Sequence, residues 1–144
     1  MNRFTCRLTS LLAMLTTVCL VCSGCCHSEV FTDPVVPQAA KPGELVPAAT
    51  GTARNYGYYL FNTWPLYTGH PGNYNRHDYH TFHDDITPEC NTAMLFDAMK
   101  KRYGVQKIAD VQHIQNSWGF FSLWIVWRKN ITTTAVGLKP YSKK

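Results

Sequence analysis

The sequence predicts a small α+β domain, a β-α-β-β unit in which one helix covers one face of a mostly antiparallel sheet, after a signal peptide and a flexible tether. Three observations predict it. One segment, 88–103, carries a full set of helix start and stop signals. Segments 58–64, 106–115 and 120–138 are β-prone and stand around that helix in the order strand, helix, strand, strand. Finally, all four tryptophans and all eight tyrosines of the 144 residues lie at or beyond Tyr56.

Taken in order, the chain opens with an address. Residues 1–7 hold Arg3 and Arg7 and no acid, and 11–21 form an almost unbroken apolar run of signal-peptide length. That run falls short of the ~18–20 residues a spanning helix needs, which excludes a polytopic membrane protein. It ends in Cys22-Ser23-Gly24-Cys25, where small residues before a cysteine resemble the lipobox of bacterial lipoproteins. The resemblance implies cleavage after Gly24, with diacylglycerol and an N-acyl chain such as palmitate on Cys25. Cys26 is the alternative acylation site. The lipobox usually has leucine where this chain has Cys22. Competing readings are a conventional secretory cut, a retained anchor, and a metal site in the overlapping C-x-x-C pairs. Two acyl chains suffice for stable anchoring.

Residues 25–54, rich in Pro, Ala, Gly and Thr, show no useful period and predict a flexible tether. The compact domain is then 55–144. Within it, 58–64 is apolar on both sides of its alternation and closes at Pro65, a buried strand. A polar, aromatic loop fills 68–85. Thr87 suits an N-cap with Pro88 at the first helical position and Glu89 on the dipole, and Gly104 suits the C-terminal stop. Residues 106–115 alternate as a half-buried strand, 116–119 read as a turn, and 120–127 give the strongest strand signal in the chain. Arg128, Lys129 and Asn130 suggest a bulge before 131–138.

Composition narrows the functional classes. Hydrophobic residues are 45% and charged residues 16%, which fits neither a disordered chain nor a coiled coil. The formal charge is +5; without Arg3 and Arg7, 12 basic residues face 9 acids, a net of +3 that is too mild to argue for nucleic acid. A two-layer domain with one helix buries one sheet face, so Phe120, Trp124 and Val126 on the other face need a cover. Either the loop 68–85 folds over them or they form a contact surface for an envelope partner or a second copy.

Two constellations offer chemistry. His77, His80 and His83 are ligand types that zinc, nickel or copper prefer, although spacings of three converge only in a loop or distorted turn. Solvated histidines are the competing reading, and His70 and His113 are further donors. Cys90, near the helix N-terminus, has the position of an activated thiolate, of a buried structural thiol, or of a bridge to Cys26 or another chain. Asp84 and Asp85 read as negative charge before the helix. No phosphate loop or hydrolase motif occurs, and no catalytic residue is assigned.

The chain as a whole resembles small bacterial lipoproteins without assigned activity. The residues that carry this are Tyr58, Tyr59, Leu60 and Phe61 with Pro65 and Leu66, the helix, Ile108 to Val111, and a tryptophan-rich strand ending in Thr133 to Val136. More loosely it resembles the TRL-like lipoprotein family over 57–138. The resemblance implies an envelope lipoprotein and supplies no catalytic residues. The expectation is a lipid-anchored protein of the cell envelope, outer-membrane and facing the periplasm, acting as a non-enzymatic binding or assembly module. The alternative is a periplasmic metal-binding protein.

Overall fold

The computed structural model describes residues 28–36, 40–119 and 124–142. In chain order these give β1 (Ser28–Pro34), β2 (Leu45–Leu60), β3 (Trp64–Gly69), a 3-10 turn (Pro71–Asn73), β4 (Tyr79–Thr81), α1 (Pro88–Tyr103), β5 (Lys107–Gly119) and β6 (Val126–Pro140). The strands form one antiparallel sheet in the order β4-β3-β2-β6-β5, with β1 paired to the first half of β2. Strand accounts for 56% of the structure and helix for 18%, so the architecture is an open six-stranded sheet and not the predicted two-layer β-α-β-β unit.

The difference originates in the stretch expected to be a tether. Ser28–Pro34 and the first ten residues of β2 are sheet, and β2 pairs with β6 from Leu45 to Leu60. This half of β2 looks tether-like because it is built from small residues, and small residues are what the helix requires. Ala48 and Ala53 are buried beneath Met94, Leu95 and Met99. A Cβ on Gly51 would lie 2.7 Å from Met99 Cε and 3.0 Å from Leu95 Cδ1. The helix therefore sits so close that larger side chains are excluded.

The helix is where the sequence places it. Thr87 caps it by accepting from the Cys90 N–H at 3.2 Å, and Gly104 ends it at φ +69°. Burial of Leu95 and Met99 contributes on the order of 2 kcal/mol each. Asn91, fully buried, fastens the helix to the sheet by donating from Nδ2 to Thr133 Oγ1 (2.8 Å) and to the Ala53 carbonyl (3.0 Å).

Three further expectations change. Segment 68–85 is partly ordered into β3, the 3-10 turn and β4, and its Tyr74 packs against the helix-side core. Residues 116–119 are strand, not turn. Trp124 and Ile125 belong to the hairpin tip between β5 and β6, with Trp124 at φ +65°, so 120–127 is not one strand. Gly119 leaves space for the Trp124 ring, since a Cβ there would lie 2.5 Å from Trp124 Cε3. Arg128, Lys129 and Asn130 continue β6 in regular register with β2.

Candidate functional site

Helix-side and open faces of the sheet follow from strand alternation. Gly51, Ala53 and Asn55 of β2, with Ile131, Thr133 and Ala135 opposite them on β6, lie on the helix side. The even-numbered residues from Thr52 to Tyr58 on β2 and from Arg128 to Thr134 on β6 face away from it, while Ala48, at the irregularity between Pro47 and Ala49, packs on the helix side.

On the helix side, beyond the start of α1, a histidine–carboxylate cluster forms. His80 on β4 stands opposite Thr68 on β3. Asp85, 3% exposed, lies just before the N-cap residue Thr87. Its Oδ2 accepts from His80 Nδ1 at 2.6 Å and from Thr68 Oγ1 at 3.2 Å, and its Oδ1 accepts from His83 Nδ1 at 2.8 Å. An ionised carboxylate only accepts, and in that state Nδ1 of each imidazole is the donor. The backbone beneath is pinned as well: Asn55 Nδ2 donates to the Asp85 carbonyl at 3.1 Å, and the single Thr68 hydroxyl proton is shared between Asp85 Oδ2 and the His83 carbonyl, 3.0 Å away. The His70 ring lies 3.8 Å from that of His80, centroid to centroid, while its own Nδ1 accepts from the Gly72 N–H. Asp84 turns elsewhere, accepting from the Tyr59 hydroxyl at 2.5 Å. Burial, and after it the bond to Asp84, pushes the Tyr59 phenol far above its ordinary pKa.

Of the three histidines that sequence spacing singles out, the fold brings His80 and His83 together and leaves His77 apart. His77 lines a shallow depression with Glu29, Phe31 and Asn75. Asp85 takes the third place, so the ligand atoms of His80, His83 and Asp85 lie within 4.8 Å of one another. The pattern His-x-x-His-x-Asp is legible in the sequence, but reading Asp85 as helix-dipole charge conceals it. His113 is taken up by Thr133 Oγ1 at 2.9 Å.

Cys90 is a free, half-buried thiol, and its backbone serves the helix cap. Cys25 and Cys26 lie outside the described residues, as does Phe120. Trp124 projects from the hairpin tip, 68% exposed with its ring 5.4 Å from Trp127, and Val126 opens β6 opposite Leu60.

The open face carries a different row. Trp118 on β5 stands opposite Arg128 on β6, Arg128 opposite Tyr58 on β2, Tyr58 opposite Tyr67 on β3, and Tyr67 opposite Thr81 on β4. Residues directly opposite in antiparallel strands share a face. The row thus crosses five strands, ~19 Å at the usual interstrand spacing. The Arg128 guanidinium lies 4.7 Å from the Tyr56 ring centroid and 5.5 Å from that of Trp118, and Tyr79 meets Tyr67 edge-to-face at 5.5 Å. Trp118, Tyr67 and Tyr79 each expose about half of their surface. The row is invisible before register is known, because its members are scattered over 71 positions of chain, 58–128.

No family model, curated protein or solved structure matches this chain. Among the described residues no helix is long and apolar enough to cross a membrane.

Proposed function

We propose that the chain is a non-enzymatic binding or assembly module of the bacterial cell envelope, moored by acyl chains on Cys25, and that its open sheet face docks a protein partner. The single observation that carries the docking surface is the set of half-exposed aromatics Trp118, Tyr67 and Tyr79 on the face opposite α1, standing on either side of the buried Tyr58. Tryptophan, tyrosine and arginine are the residue types that dominate binding energy at protein interfaces. A face built from them, with Tyr79 and Trp118 half exposed, offers large rigid contact area at small entropic cost. The lipobox-like Cys22-Ser23-Gly24-Cys25 and the likeness to small lipoproteins support the mooring.

The test uses the full-length protein in its native membrane. Trp118→Ser combined with Tyr67→Ser should abolish cross-linked species larger than the monomer, while melting and membrane fractionation stay as in the parent. An unchanged cross-linking pattern would sink the docking surface. Cys25→Ser should abolish labelling by a fatty-acid probe; persistent labelling moves the acyl site to Cys26.

A further inference from the structure

We propose that His80, His83 and Asp85 form a binding site for one divalent transition-metal ion of the zinc class. The site is independent of the docking face, since it lies on the helix side at the opposite surface of the sheet. Asp85 is an interior carboxylate, and among the described residues no lysine or arginine pairs with it; its partners are two imidazoles and a hydroxyl. A buried anion without a permanent cation is costly, and a bound divalent ion supplies the missing charge.

The donor set is that of zinc: two imidazole nitrogens and one carboxylate oxygen, leaving a fourth position for solvent. A tetrahedral ion about 2.0–2.2 Å from each donor holds the donors roughly 3.3 Å apart. His80 Nδ1 sits 2.6 Å from Asp85 Oδ2 and His83 Nδ1 2.8 Å from Asp85 Oδ1, and one ligand atom from each residue lies within 4.8 Å of the others, so both rings must draw back from the carboxylate to admit an ion between them. The His83 side chain is 66% exposed and that of His80 36%, which permits this movement without disturbing the core. On binding, both Nδ1 protons pass to solvent and the freed lone pairs take the metal. Thr68 and Asn55 already hold the carboxylate and its backbone from behind, the supporting contacts that metal sites rely on. The ion would join β4, a strand of three residues at the sheet edge, to the segment leading into α1.

Calorimetric titration of the metal-stripped full-length protein with zinc chloride should give one ion per chain, and zinc should raise the melting temperature by several degrees. His83→Ala, at an exposed position, should keep the parent circular dichroism and weaken binding at least tenfold, as should His80→Ala. His77→Ala should bind as the parent does. With cobalt(II) in place of zinc, the spectrum should show d–d bands without a thiolate charge-transfer band. Absence of heat, zinc binding retained by the His80→Ala, His83→Ala double variant, or a thiolate band would each overturn the site.

Discussion

The patch of sheet beneath α1 and the face turned away from it are made of opposite materials. Beneath α1 the residues are small or amide-bearing: Ala48, Gly51, Ala53, Asn55, Thr133 and Ala135. The face turned away from the helix carries Tyr56, Tyr58, Tyr67, Trp118 and Arg128. Ordinary packing would put the largest apolar groups inside. Here the helix itself brings the bulk, through Met94, Leu95 and Met99, and the sheet supplies a floor thin enough to receive it. Stability is therefore concentrated beneath α1, and on the other face the half-exposed Trp118, Tyr67 and Tyr79 are left for contact around the buried Tyr58.

Substitutions should separate the faces by their effect on folding. The largest loss is expected for Gly51→Val, whose side chain collides with Met99, Leu95 and the Phe31 carbonyl; it should cost about 3 kcal/mol in urea denaturation. A cost below 1 kcal/mol would show that the helix stands further off than described. Asn91→Ala comes next, at about 2 kcal/mol, because the Ala53 carbonyl and Thr133 hydroxyl lose their buried donor. Equal stability of variant and parent would mean that water replaces the amide.

Tyr59→Phe should cost about 1 kcal/mol by removing the bond to Asp84, and it should also change the pH profile. The folded protein holds the phenol neutral, with its pKa raised above the unfolded value of about 10. Its contribution is thus complete below pH ~10 and is lost as pH rises beyond that, where the unfolded chain ionises first. Melting temperatures measured from pH 8 to 11 should fall at the alkaline end for the parent and less steeply for Tyr59→Phe; parallel profiles would remove Tyr59 from the account. The smallest effect is expected on the open face. Trp118→Ser should shift stability by under about 0.5 kcal/mol, and a loss of several kcal/mol would reassign the row to the core.

Legibility in the sequence followed the range of the interactions. Helix α1 was readable to the residue because Thr87, Pro88 and Gly104 act on their immediate neighbours. The tether expectation failed at β2, where Ala and Gly mark a close contact with residues more than forty positions away. At Trp124 and Ile125, aromatic β-propensity concealed a turn that Trp124 enters with positive φ. The histidine cluster was half legible: His80 and His83 lie in the expected group, but Asp85, two residues on from His83, reads as charge before the helix and so was left out of it. The open-face row depends wholly on strand register, and so on pairings between distant segments.

The most direct test of the open face as a contact surface is hydroxyl-radical footprinting of the full-length protein, first in native membranes and then after purification in detergent. Trp118, Tyr67 and Tyr79 should be protected in the membrane and become reactive once purified, while Trp124 on the hairpin tip reacts equally in both. Equal reactivity of all four side chains in both preparations would contradict the assignment.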